Sequence, residues 1–250
     1  MYRFFEYDDV KIMVKFCQFE THCHTAETSP CGVLSAVEVV EGMKEAGYAG
    51  TFITDHFYSR FFERGAMAAL PWEEKAERYL TGYRAAKRHG DKIGVKVFLG
   101  LEVQLECSPV EFLVYGPDEE FIISAGPIYR LSKPEFYRLM HKNGFLVFQA
   151  HPYRFGLSPD NPAYYDGIEI VNAQPRHRSH NPLALKFAAE HDIMIIAGGD
   201  VHMACDIGRA GVMVPETVDS VEDFIAFYRE VRTPELIITC GVGMDCDTAI

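Results

Sequence analysis

The chain has 250 residues, 48% of them hydrophobic, and 24 Lys and Arg stand against 36 Asp and Glu for a formal net charge of −12. That apolar content can bury a large core, and a barrel of this length commonly forms one domain, so residues 1–250 are expected to be a single domain. The acidic balance argues against a general affinity for nucleic acid or an anionic membrane, although bound divalent cations could still draw an anionic small molecule into a local site.

The first nine residues carry acid where a secretory signal needs a basic start and an apolar block. No later run approaches a membrane span. The seven cysteines (Cys17, Cys23, Cys31, Cys107, Cys205, Cys240 and Cys246) are scattered without metal-knuckle or redox spacing. A reduced cytoplasmic protein is the expectation.

Strands and helices alternate. A strand over 11–19 is followed by Ser35-Ala36-Val37-Glu38, a capping box that opens a helix with Val37, Val40 and Met43 on one face and Gly47 as its stop. A strand over 49–54 precedes one helix over 71–89, ended by Gly90, and strands over 95–103 and 111–115 follow. Ser132-Lys133-Pro134-Glu135 is a second capping box, for a helix that stops at Asn143-Gly144. Then come strands over 145–150 and 167–171, a helix begun by Asn181-Pro182, and a strand over 193–197. Residues 212–214, a helix over 221–232 and a strand over 236–239 finish the chain. The pattern predicts a parallel sheet covered by helices. The long irregular stretches, 58–70, 152–166 and 173–180, follow the polar residues that matter most, as functional loops do.

Those polar residues share a grammar. His22 and His24, one residue apart at the end of an apolar run, would share a face if the strand continues, with Cys23 turned into the core. His56, Glu102, His151, Asp200 and His202 each stand where a later apolar run gives out. In a barrel of parallel strands such ends converge on one mouth, where barrel enzymes place their chemistry.

As an ordered set, His22-x-His24, Thr54-Asp55-His56, Gly100-Leu101-Glu102, Ala150-His151-Pro152 and Gly199-Asp200-x-His202 resemble the motifs of the polymerase and histidinol phosphatase (PHP) family of metal-dependent phosphoesterases, across residues 18–203. The resemblance implies a distorted (β/α)7 TIM-like barrel holding two or three divalent metals, often zinc, manganese or iron, that hydrolyses a phosphate ester. It implies that His22, His24, Glu102 and Asp200 hold one metal. Glu102 would bridge to a second, held also by His151 and by Glu111, which stands where many members carry a histidine. A third would use His56, His202 and a residue shortly after the histidine pair. Ser29 and Pro30 occupy the usual places, which leaves Glu27 as the nearest acid.

The chemistry fits the residue types independently. Phosphate ester hydrolysis needs a nucleophile at neutral pH and neutralised phosphoryl oxygens, which clustered metals supply. Imidazoles with a carboxylate suit borderline metals better than magnesium or calcium. Arg154 and Arg176, in loops after site residues, could grip a phosphate. Asp55 could take a proton from the attacking water or orient a ligand, or face away from the metals. Glu169 ends a strand and could support a ligand. Phe57, Tyr58, Phe61, Phe62 and Tyr153 could line a pocket or pack in the core. His89, His141, His177, His180 and His191 fit helix ends or polar loops better than a metal site. Two other functions stay open: an amidohydrolase-type metallohydrolase, and a non-catalytic metal-binding module of the PHP kind.

Overall fold

A computed structural model of the chain describes residues 1–7 and 10–239. Asp8, Asp9, Cys240 and Cys246, which entered the sequence reading, lie outside the described residues. The strands are β1 (Tyr2–Tyr7), β2 (Val10–Glu20), β3 (Gly50–Ile53), β4 (His56–Phe57), β5 (Lys96–Gln104), β6 (Glu111–Tyr115), β7 (Leu146–Gln149), β8 (Gly167–Asn172), β9 (Met194–Gly198), β10 (Ala210–Pro215) and β11 (Leu236–Ile238). The helices are α1 (Ala36–Glu45), α2 (Ser59–Phe62), α3 (Trp72–Tyr79), α4 (Thr81–Ile93), α5 (Glu119–Ala125), α6 (Lys133–Lys142), α7 (Asn181–His191) and α8 (Val221–Val231).

Nine strands run side by side in the order β11-β10-β2-β3-β5-β6-β7-β8-β9, with β1 added onto β2 and β4 onto β5. The two ends of this path lie against each other, so the sheet nearly closes into a barrel in a mixed α/β fold. It is not parallel throughout, as the alternation of elements predicts. β2, β3 and β5 pair in parallel, as do β7, β8 and β9, but β6 is antiparallel to both neighbours and β10 to both of its own. The link from β5 to β6 contains no helix, and a parallel return needs a crossover of roughly a dozen residues. Because β6 runs backwards, its first residue opens at the mouth where β2, β3, β5, β7 and β9 end.

The capping boxes form as predicted. Ser35 and Glu38 exchange bonds at the start of α1, and Ser132 and Glu135 do so at α6. One helix is corrected: residues 71–89 divide into α3 and α4 at Leu80, and α4 runs on to Gly94, whose φ of +81° makes it the true stop. Gly82 lies in the first turn of α4 against the site loop, where a Cβ would stand 2.0 Å from Thr25 Oγ1. Gly90 stays inside α4, packed on the Val95 carbonyl, rather than ending it.

Phe57 and Phe62 are fully buried, stacked among Trp72, Tyr79 and Tyr129, so these two are core rather than pocket lining. Phe61 and Tyr153 pack partly buried against the same cluster. Tyr58 instead stands edge-on to His56, with ring centroids 5.1 Å apart. Cys23 is buried in the core under α1, as strand alternation predicts. The described cysteines are free thiols. Among the described residues no helix is long and apolar enough to cross a membrane.

Candidate metal centre

The histidine pair is held between two strand ends. Thr54 N–H donates to Cys23 O at 2.8 Å and Cys23 N–H donates to Thr54 Oγ1 at 2.9 Å, while His24 N–H donates to Val201 O at 2.9 Å and Val201 N–H to His22 O at 3.0 Å. Glu20, the last residue of β2, turns its carboxylate back on the segment and accepts from the N–H groups of Thr21, His22 and Gly199. Burial pushes Glu20 up to about 8 despite those donors. The approach of β9 is equally close, since a Cβ on Gly198 would meet His22 Cβ at 2.5 Å.

Around this segment the barrel mouth gathers eight potential ligands into four overlapping groups: His22, His24 and Glu102; His22, His151 and Asp200; His56, Glu102 and Glu111; and His24, His56 and His202. Glu102 is the hub. Its Oε1 lies 3.2 Å from His22 Nε2 and 3.0 Å from His151 Nε2, and its Oε2 lies 3.4 Å from His24 Nε2 and 2.8 Å from His56 Nδ1. Asp200 Oδ1 stands 3.2 Å from His24 Nε2 and 3.4 Å from His22 Nε2. Glu111 approaches His151 at 3.5 Å and His56 at 3.8 Å.

Two ligand atoms about 2.1 Å from one tetrahedral ion stand ~3.4 Å apart, so these separations suit a shared cation. Hydrogen bonding accounts for the approach of His151 Nε2 to Glu102 Oε1 but leaves other atoms of the cluster unpartnered. His22 Nε2, His24 Nε2, His56 Nδ1 and Glu102 Oε2 are buried without a hydrogen-bond partner, an arrangement costly for polar atoms unless something else binds them. The opposite ring nitrogens are engaged: His22 Nδ1 meets Glu169 Oε1 at 2.9 Å, His24 Nδ1 meets Ser29 Oγ at 3.2 Å, and His202 Nδ1 meets the Asp200 carbonyl at 2.8 Å. A proton on each Nδ1 leaves the Nε2 lone pair for a metal. The donor set therefore fits divalent cations.

Burial opposes protonation of His22, His56 and His202, but the neighbouring carboxylates raise all three rings, so without a cation these rings and carboxylates share protons. Burial raises Glu102, yet the His22 and His56 rings outweigh it and hold the carboxyl well below its usual range. Burial likewise opposes the ionised form of Asp200, but His22 and Arg154 hold it well below normal. Burial, followed by His202 and His56, depresses His24 and keeps that ring neutral, as a ligand must be. Glu111 is raised by burial and by the Glu102 charge. His151 and Asp200 have φ of +26° and +51°, left-handed values for non-glycine residues. Such strain concentrates at functional sites.

The other sequence candidates have different surroundings. Glu27 is exposed and accepts from the Ala36 N–H at the start of α1, so it caps a helix rather than joining the cluster. Asp55 is buried beneath the site and accepts from Thr25 N–H, Thr25 Oγ1 and Ser29 Oγ; burial pushes it up to about 6 against those bonds. It supports the loop through Ser29 and does not reach the metal-facing atoms. Arg154 is buried at the site, but its guanidinium donates to Asp200 Oδ2 at 2.6 Å and to Asn172. Arg176 makes a two-point pair with Asp206 at 2.7 Å for each bond. Both arginines thus bind protein carboxylates. Glu169 links His22, the His151 N–H and Asn172 Nδ2, the supporting role its strand-end position suggested.

Sequence reasoning missed Glu20, Ser29, Asn172 and Asp206, which orient the ligands, and Cys31. Burial raises the Cys31 thiol, but hydrogen bonds with His202 and His56 bring it down to about 7. An acid closing an apolar strand was the available signal for Glu20. The others gave none: Ser29, Asn172 and Asp206 lie close in sequence to the groups they support, but they are fixed by Asp55, Arg154 and Arg176 on other segments.

The histidine and carboxylate cluster thus lies at the mouth of a nearly closed α/β barrel, the face where barrel enzymes place their chemistry. A search of the curated proteins found no match. A PHP-associated family model matches residues 178–233. Among solved structures, a two-domain protein from Bacteroides vulgatus containing a predicted PHP-like metal-dependent phosphoesterase aligns at TM-score 0.60 and 16% identity, over 87% of this chain and 62% of that one. The chain thus spans less than two thirds of that relative. PsfC from Pseudomonas syringae aligns at TM-score 0.63 and 16% identity, over 90% and 93% of the two chains. An amidohydrolase from Chromobacterium violaceum, with bound sulfate and no metal, aligns at TM-score 0.50 and 15% identity, over 86% and 96%. The fold is that of these PHP-like barrel proteins, and the PHP-associated family match is confined to residues 178–233.

Proposed function

We propose that this chain is a single PHP-like domain that hydrolyses the phosphate ester of a small metabolite or nucleotide at a centre of two or three zinc, manganese or iron ions. The observation that carries the reading is Glu102, whose two oxygens each face two imidazoles at separations suited to bridging cations. In this reading His22, His24, Glu102 and Asp200 hold one ion, Glu102, His151 and Glu111 a second, and His56 and His202 belong to a third. Bound there, the ions supply a water acidic enough to attack at neutral pH and a clamp on the phosphoryl oxygens.

The protein groups position and balance. Glu169 fixes His22 through Nδ1 and the turn at His151 through its backbone. Arg154 offsets the charge of Asp200 from the side facing the protein. Asp55 and Ser29 fix the ring of His24 from below. None of these groups needs to exchange a proton with substrate.

An amidohydrolase-type reaction is the second reading, favoured by the likeness to the Chromobacterium protein. The central bridging carboxylate and the Asp200-x-His202 ending support the phosphoesterase more strongly. A screen for inorganic phosphate release over phosphorylated metabolites, with metal supplied, distinguishes them. Wild type should release phosphate from at least one ester, and His22→Ala and Asp200→Ala should each lose at least about 100-fold in rate, since each removes a ligand. Turnover of an amide or lactam alone, or equal ester activity in both variants, would refute the proposal. The same screen with all variants inactive but metal bound would point to a binding module.

A further inference from the structure

Arg154 and Arg176 spend their charge on Asp200 and Asp206, but an arginine of different standing lies on the β4 side of the mouth. Arg60 sits in α2, just after His56 and β4. Its guanidinium lies over the Tyr58 ring, with Cζ 5.3 Å from the centroid, and the Tyr58 ring stands 5.1 Å from that of His56. Arg60 Nη2 also donates to Gln104 Oε1 at 3.4 Å, long for a hydrogen bond. Gln104 gives its own amide hydrogen to Pro109 O and stands directly across the ladder from Glu111, whose carboxylate approaches His56 and His151. Residues paired across a ladder share a face. Two routes, through Tyr58 to His56 and through Gln104 to Glu111, therefore place Arg60 beside the metal cluster.

Among the described residues Arg60 makes no ion pair, and it is exposed. One long bond and a ring face leave most of the guanidinium donors open. The ring supplies a weak attraction that orients the charge without neutralising it. In a chain of formal net charge −12, that leaves an unspent positive group at a mouth lined by carboxylates. We propose that Arg60 is a substrate-binding residue that takes a second anionic group, a carboxylate or a further phosphate, of an ester whose reacting phosphoryl group lies on the cluster. The ions of the proposed centre serve the reacting phosphoryl group, and Arg60 stands one aromatic ring away from His56, so it addresses the part of the substrate beyond the ester bond. A planar guanidinium fork grips either kind of anion through two parallel bonds. The proposal rests on the phosphoesterase reading above and deepens it, since it selects esters with an anionic leaving portion over those with a neutral one.

Binding of nonhydrolysable phosphonates tests this without relying on turnover. Zinc-loaded wild type, Arg60→Ala, Arg60→Lys and Arg64→Ala proteins are titrated by calorimetry with propylphosphonate, 3-phosphonopropionate and propane-1,3-bisphosphonate. The first ligand has no second anionic group, the second carries a carboxylate and the third a phosphonate. Arg60 and Arg64 are both exposed, so the variants should fold. Wild type should hold at least one doubly anionic ligand about 10-fold more tightly than propylphosphonate, and the tighter of the two names the second group. Arg60→Ala should bring that ratio close to one. Arg60→Lys should keep part of it, because the charge remains without the fork. Arg64→Ala removes the same charge nearby and should keep all of it. A ratio near one in wild type, an unchanged ratio in Arg60→Ala, or an equal fall in Arg64→Ala overturns the Arg60 assignment and leaves the metal-centre reading standing. Failure of wild type to take up zinc, or to bind any of the three ligands once loaded, overturns both.

Discussion

Ligand geometry in this protein is set by residues that never meet the cation. Glu169 accepts from His22 on one oxygen and from the His151 N–H and Asn172 on the other, so a single carboxylate orients two candidate ligands that follow different strands. Glu169→Gln keeps the shape but weakens the anchoring of the His22 Nδ1 proton, and loss of such a partner typically costs 10–100-fold in metal affinity. Competition against a fluorescent chelator should show a fall of about that size with little change in melting temperature; an unchanged affinity would show that packing alone orients His22. Gly198 acts by having no side chain. A methyl there would press on His22 Cβ at 2.5 Å and approach Glu169 Oε1 at 3.0 Å, both in a fully buried setting. Gly198→Ala should therefore displace the histidine pair, lose metal from the first site, and destabilise the fold by about 1–3 kcal/mol as an overpacking change. Metal content and urea unfolding of the same sample check both parts.

Elements differ in how much of their placement the sequence carries. The boxes at Ser35 and Ser132 were legible because cap and partner lie three residues apart, and the resulting helix starts are local events. The division between α3 and α4 was not, because Thr28, far away in sequence, donates its Oγ1 to the Tyr79 carbonyl and accepts the Gly82 N–H at the break. The direction of β6 was hidden for a similar reason: apolar alternation marks a strand, and only its pairing gives its sense. The motif set named the eight potential ligands that cluster, seven because they close or follow an apolar run and Glu111 through the resemblance, but it also named Glu27, which instead caps α1. Arg176 shows the same limit. It is a loop arginine by sequence, yet in the fold it ties the 173–180 loop to Asp206, which in turn accepts from the His202 and Met203 N–H groups. Burial raises Asp206, but Arg176 and those amides outweigh it, so its folded pKa lies below the ordinary 3.8. A depressed acid contributes stability that is complete above 3.8 and disappears as pH falls through the lower folded value. Asp206→Asn should cost about 2 kcal/mol at neutral pH, at the low end for a buried pair because Arg176 is partly exposed. The deficit relative to wild type should shrink in urea titrations as pH drops below that window; a constant deficit would assign the effect to packing instead.

At the scale of the whole molecule, the mouth of the barrel is a concentration of unlike demands. Glu102, Glu169 and Asp200 are almost completely buried within one region, Glu20 beside them is pushed up to about 8 by burial, and among the described residues Arg154 is the buried permanent cation there. Imidazoles offset part of that charge only while protonated, and His24 is held neutral by burial and by its His202 and His56 neighbours. In the metal-free fold protons on His22 and His56, which the carboxylates raise against the effect of burial, balance the charge where β2, β3, β5, β7, β8 and β9 end and β6 begins, and divalent cations would take their place. Because the ligands come from β4, β5, β6 and the loops after β2, β7 and β9, bound metal would tie together strands that are distant around the barrel. An ion that binds only the folded chain stabilises it by about 4 kcal/mol at a thousandfold excess over its dissociation constant. For a chain of this size that corresponds to a melting shift of roughly 10 °C. Chelator treatment should lower the melting temperature by about that amount, and zinc or manganese should restore it. In His22→Ala or Asp200→Ala protein the same additions should recover less than half of the shift. Melting curves identical with chelator and with added metal, in wild type and both variants, would show that this cluster binds no cation and would remove the basis for hydrolysis at the barrel mouth.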